Sequence, residues 1–118
     1  MKLFLEKVIA KFRYACNGLI YGMLHDRSIQ IQYLISILVI GVCLFLPLAN
    51  WQWCLIILLC TLVILLEYLN SVIERLCDLY SSQYDERIKR IKDMSAAIVL
   101  IMSICAAVIA VVIIGGML

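Results

Sequence analysis

The stretch "LEYLNSVIERLCDLY", residues 66–80, decides how the rest of the chain is read. It closes a long apolar run, yet it carries Glu67, Asn70, Glu74 and Asp78. These positions step by three, four and four, which puts them on one face of a helix. Glu67 then lies about two turns, ~10 Å, from Glu74 along the axis. A carboxylate inside an apolar span is costly, so it needs a partner or a task. Several acids sharing one face favour a task over simple pairing with Arg75, Arg87 or Lys92.

Outward from that stretch, the chain reads as a membrane protein. Its 118 residues are 66% hydrophobic and only 15% charged, far from the balance of a soluble domain. A soluble core of this size could not hide so much apolar surface. All ten Lys and Arg fall within residues 2–27 and 75–92, and no charge occurs in 28–66 or 94–118. A net charge of +2, with acids mixed among the bases, argues against nucleic-acid binding. The six cysteines include no CxxC pair and read as small apolar residues, and the single His25 has no ligand partner nearby. The N-terminal residues alternate charge and apolarity, so no cleavable signal peptide is expected.

Three spans follow from hydropathy, at about residues 29–48, 51–73 and 94–116, each near the ~20 residues a bilayer requires. They must be helical, because open strand edges in lipid leave backbone groups unpaired. "LPLANWQW", residues 46–53, joins the first two and holds Pro47, Trp51 and Trp53 but no Lys or Arg. The positive-inside rule therefore places the N-terminus and the 75–92 connection in the cytoplasm. Residues 2–24 repeat Leu5, Val8, Ile9, Phe12, Cys16, Leu19 and Met23 at helical spacing, with charges on the other faces. This predicts an amphipathic helix in the membrane interface, acting as an anchor or as a guide for lipid. The chain reads as one domain, residues 1–118, without repeats or linkers.

The chemistry suited to the acidic face is phosphoryl transfer. Glu74 and Asp26, both expected on the cytoplasmic side, could hold magnesium, which favours a few carboxylates plus phosphate oxygens. Glu67, deeper and partly desolvated, could take the proton of a hydroxyl. Lys92 and Asp93 bring a cation to the same level, where it could meet phosphate. No P-loop or protein-kinase signature is present.

Residues 67–100, "EYLNSVIERLCDLYSSQYDERIKRIKDMSAAIVL", carry a more specific signal. The pattern is E-x-x-N-[ST]-x-[IV]-E, an acid four residues on, an aromatic-containing loop, and K-D followed by small residues. It resembles the small integral-membrane lipid kinases of bacteria, diacylglycerol kinase and undecaprenol kinase. The resemblance rests on Glu67, Asn70, Ser71, Ile73, Glu74, Asp78, Tyr84, Lys92, Asp93, Ser95, Ala96 and Ala97, and extends to the length, the three spans and the surface helix. It implies Glu67 as general base, and Asp26 and Glu74 as holders of Mg²⁺ and ATP phosphates. It further implies Asn70 and Asp78 as polar support, and Tyr14, Gln83, Tyr84, Asp85, Lys92 and Asp93 as nucleotide contacts. It also implies a homotrimer with shared sites in the bacterial cytoplasmic membrane.

The chain departs from the family pattern in places: Asp26 stands where Glu is usual, Ile91 precedes Lys92 in place of Ala, Asp85 replaces a loop histidine, and Ala96 sits where some members carry a hydroxyl. "DRSIQIQ", residues 26–32, is similar to the undecaprenol group, with diacylglycerol as the alternative acceptor. A small proton-coupled transporter would also use a membrane glutamate, but the charged 74–93 segment argues against it. A structural subunit binding another protein through its polar face is the remaining reading.

Overall fold

A computed structural model describes all 118 residues, and every element in it is helical. The order is α1 (Lys2–His25), α2 (Arg27–Cys43), α3 (Asn50–Tyr80) and α4 (Glu86–Gly115). This is an all-α chain. α3 and α4 are each long and apolar enough to cross a membrane, and α1 with α2 pass the same test only as a pair bent by 91°. The surface helix expected over 2–24 corresponds to α1.

The bend has a local cause. Asp26 is extended, at φ −120° and ψ 113°, and serves both as C-cap of α1 and N-cap of α2. Its Oδ1 accepts the Ile29 N–H at 3.2 Å, which satisfies one of the free donors at the start of α2. One extended residue between two helices redirects the chain without a loop.

α2 ends at Cys43, five residues before the limit of 48 read from hydropathy. The chain turns at Leu44 to Leu46, ahead of Pro47, whose ring disfavours a helical conformation at the preceding residue. α3 restarts with the Gln52 side chain accepting the Ala49 N–H at 2.9 Å. At the other end α3 runs to Tyr80 and α4 begins at Glu86, so both extend past the apolar segments 51–73 and 94–116. α4 opens on an Asp85 cap, whose Oδ1 accepts the Arg87 N–H at 2.8 Å, with Glu86 in the first turn facing the positive end of the helix dipole.

α3 is the central element, packed along α4 and along α2. At the tryptophan end Cys43, Ile56 and Ile113 form a small buried cluster, supported by Trp53 and Ile109. Only 13 of 118 residues are buried, so most apolar side chains face outward, as lipid-facing helices require. All six cysteines are free.

Candidate functional site

The buried stripe of α3 changes character along its length. Ile56, Leu59 and Val63 are apolar, then Glu67, Asn70 and Ser71 continue the stripe with polar groups that are equally buried. Glu67 is 7% exposed. The helical period that seals α3 against its neighbours thus carries a carboxylate and an amide into the same seam.

α4 completes this seam. The Ser95 hydroxyl, 4% exposed, donates to Asn70 Oδ1 at 2.7 Å. Asn70 Nδ2 in turn donates to Glu74 Oε1 at 3.4 Å, a long bond. The amide is oriented by this chain, since its oxygen is the only group able to accept from Ser95. From α2, Asp26 joins the cluster by accepting the Ser71 hydroxyl on Oδ2.

The cations of α3 and α4 are all paired with other acids. Arg75 pairs with Asp26 at 3.9 Å, Arg87 with Asp85 at 3.0 Å and Lys92 with Asp78 at 2.6 Å. Lys89 pairs with Asp93 at 2.7 Å and Arg90 with Glu86 at 3.0 Å. Neither Glu67 nor Glu74 has an ion-pair partner. The helix-tying role weighed for these two acids therefore has no counterpart in the structure, and their charges remain open to a ligand.

The other candidate residues lie outside this hydrogen-bonded cluster. Asp78 and Lys92 link the charged ends of α3 and α4. Asp93 points to Lys89 one turn back along α4. Asp85 caps α4, and the Arg87 guanidinium hydrogen-bonded to it holds its carboxyl below the ordinary aspartate range. Tyr14, Gln83 and Tyr84 are exposed, and no side-chain hydrogen bond ties them to the carboxylate face.

Four further residues of the site were given no catalytic or binding role from the sequence. Ser71 and Ser95 lie in the motif, but their partners depend on how α2 and α4 pack on α3. Arg75 was read as a candidate partner of Glu67 or Glu74, whereas it reaches Asp26 and the hydroxyl of Tyr21, the latter at 3.3 Å. Tyr68 lies next to Glu67 in the chain, and its hydroxyl donates to the Leu19 carbonyl of α1 at 2.7 Å. The signal available for Ser71 was its i+4 position from Glu67, one turn along the same helix.

The donor set suits a hard cation. No three His, Cys, Asp or Glu side chains cluster closely enough to hold a metal by themselves. Magnesium needs no such cage, because it binds through one or two carboxylates and completes its shell with water and phosphate oxygens. Asp26 and Glu74 provide two carboxylates, each with lone pairs left after the bonds described above.

Comparison with known proteins bears on what this arrangement does. The profile of the family described as prokaryotic diacylglycerol kinase matches residues 13–114. A protein of Synechocystis sp. named diacylglycerol kinase is 35% identical over 112 residues, which cover 94% of this chain and 61% of that protein. The chain thus spans about three fifths of the length of that relative. The matched segment contains every residue of the carboxylate face, from Asp26 through α3 to Ser95. A match of that extent, on a helical chain whose polar seam is built from the same motif, shows that the chain belongs to the prokaryotic diacylglycerol kinase family.

Proposed function

We propose that the chain is a lipid kinase that moves the γ-phosphoryl group of ATP to the hydroxyl of a membrane lipid alcohol. The observation that carries this reading is Glu67: a buried carboxylate without a cation partner, where the apolar seam of α3 turns polar. A base at that depth meets a lipid hydroxyl arriving from the bilayer and a nucleotide arriving from the charged end.

In this reading Glu67 takes the hydroxyl proton as the lipid oxygen bonds to the γ-phosphorus. The bond from that phosphorus to the bridging β–γ oxygen breaks, and ADP leaves. Asn70, held by Ser95, keeps the amide of the seam in one orientation beside Glu67. Asp26 and Glu74 are the residues that would hold Mg²⁺, which neutralises charge on the phosphates. Lys92, drawn to Asp78, stands where an ATP phosphate could replace the carboxylate as its partner. Tyr14, Gln83, Tyr84, Asp85 and Asp93 are the further nucleotide contacts of the proposal.

The placement of Lys and Arg supports a multi-pass protein of the bacterial cytoplasmic membrane, with three spans and the site on the cytoplasmic side. The outward-facing apolar helices suit a homotrimer with sites shared between subunits. "DRSIQIQ" favours undecaprenol as acceptor, giving undecaprenyl phosphate. The name of the Synechocystis relative favours the alternative, diacylglycerol giving phosphatidic acid.

The test is phosphate transfer from labelled ATP by the purified protein in mixed micelles, with each lipid offered separately, with and without Mg²⁺. Magnesium-dependent labelling of either lipid supports the kinase, and the better substrate names the acceptor. A well-folded preparation that labels neither would sink the proposal.

A further inference from the structure

A groove of about 460 Å³ lies under α1, bounded by α1, α2 and α3. Its wall on α3 runs from Thr61 to Tyr68, about 10 Å along the axis, so it leads from the level of Glu67 toward the interior of the bilayer. Leu19, Ile64 and Leu65 make most of it apolar. Three hydroxyls also line it, those of Tyr33, Thr61 and Tyr68.

Hydrogen-bond accounting shows what those hydroxyls can offer. Tyr68 donates its one hydrogen to the Leu19 carbonyl at 2.7 Å. The Tyr33 and Tyr68 hydroxyls are 3.2 Å apart, and since the Tyr68 hydrogen is already used, Tyr33 is the donor between them. Thr61 donates to the Ile57 carbonyl at 2.8 Å. Every hydroxyl hydrogen of the groove is therefore spent inside the protein. The lining backbone is helical, so its N–H groups are spent as well.

A ligand in this groove meets apolar surface and acceptor lone pairs, and no donor. An ester carbonyl placed there loses its hydrogen bonds to water and gains none, which is the unfavourable case for a buried acceptor. A hydrocarbon chain loses nothing. We infer that the groove seats the chain of a lipid alcohol that has no ester beside its hydroxyl, and that Tyr68 sets this preference, an inference that rests on the lipid-kinase reading above. A substrate hydroxyl at the Tyr68 end of the groove then lies at the level of Glu67. A polyisoprenol fits this description, and a diacylglycerol, with one ester on the adjacent carbon and a second on the carbon beyond, does not.

Tyr68 is the group to change. Tyr68→Phe removes the acceptor that holds the Tyr33 hydrogen, and so creates a free donor in the groove. Tyr33→Phe removes a hydroxyl but creates no donor, because Tyr68 still bonds to Leu19. The experiment compares kcat/KM for a polyisoprenol and for a diacylglycerol in mixed micelles. The wild-type protein should favour the polyisoprenol. Tyr68→Phe should raise the diacylglycerol-to-polyisoprenol ratio roughly fivefold or more, and Tyr33→Phe should leave it within about twofold. If Tyr68→Phe does not assemble, Leu65→Gln adds donors to the same groove and should raise the ratio likewise. An active wild type that favours diacylglycerol, or variants that slow both lipids equally, would overturn the inference while leaving the kinase intact. A wild type that phosphorylates neither lipid would overturn both.

Discussion

Glu67 concentrates the chemistry in one side chain. Its neighbours hold other groups in place, and no cation neutralises it. Glu67→Gln keeps the size and polarity of the side chain but cannot take a proton. We expect it to lower phosphate transfer by about 10²- to 10⁴-fold, the range of a lost general base, while the protein still elutes as the wild-type assembly. A near-normal rate would remove Glu67 from that role. Gly22 makes a different demand. A Cβ there would overlap the ring of Tyr68, lying 2.9 Å from Cζ. Gly22→Ala should therefore push α1 off α3 and cost about 1–3 kcal/mol, read as a lower unfolding midpoint in detergent. The importance of Glu67 was legible in the sequence, because a carboxylate in an apolar run is visible without coordinates. That of Gly22 was not, because it depends on a ring 46 residues away in the chain.

At the scale of elements, the two helix starts at Asp26 and Asp85 show how much a single cap decides. Asp85 is held below the ordinary aspartate range by the Arg87 guanidinium. A carboxyl whose folded value is depressed contributes fully above its unfolded value, and the contribution fades as pH falls through the folded value. The α3–α4 turn should thus keep its cap until pH is well into the acid range. Arg87→Ala should move the Asp85 titration upward, a shift that NMR of its carboxyl carbon would read. No upward shift would show that Arg87 is not the cause. The Asp78–Lys92 link can be tested by exchange. Asp78→Lys with Lys92→Asp preserves an ion pair between α3 and α4. If Lys92 also meets ATP phosphate, the exchanged protein should assemble normally yet stay at least about tenfold below wild type in transfer; full activity would leave the pair with only a tying role. Hydropathy marked the apolar runs, but it overran the end of α2, where the turn before Pro47 takes the chain out of helix. It also stopped short of the end of α3 and started late on α4, because charged residues that sustain a helix in water lower an apolar average. The break between residues 24 and 29 was legible, but the 91° angle at Asp26 was not, because beside the local cap it is held by Ser71 and Arg75 on a different helix.

On the scale of the molecule, the helices are unequal. α2 has 17 residues, about 26 Å, whereas α3 has 31 and α4 has 30, about 46 Å each. The hydrocarbon layer of a typical bilayer is about 30 Å thick. The longer helices tolerate a range of thickness by tilting or by leaving their charged turns in water, but the short one has no such reserve. In the three-span arrangement proposed above, α2 stays immersed at both ends of a thick membrane only if lipid thins around it, or if Asp26 is pulled inward from the charged side. The elbow would then tilt, and α1 with it, over the polar seam. In that arrangement the protein would be tuned to its solvent as well as to its ligands. Reconstituted in vesicles of increasing acyl length, it should lose phosphate transfer severalfold from thin to thick bilayers while ATP concentration stays saturating. A flat response would show that the elbow is indifferent to thickness. Sensitivity would mean that the membrane sets the working geometry of the site, so that a change in its lipid composition acts on the rate before any change in the amount of protein.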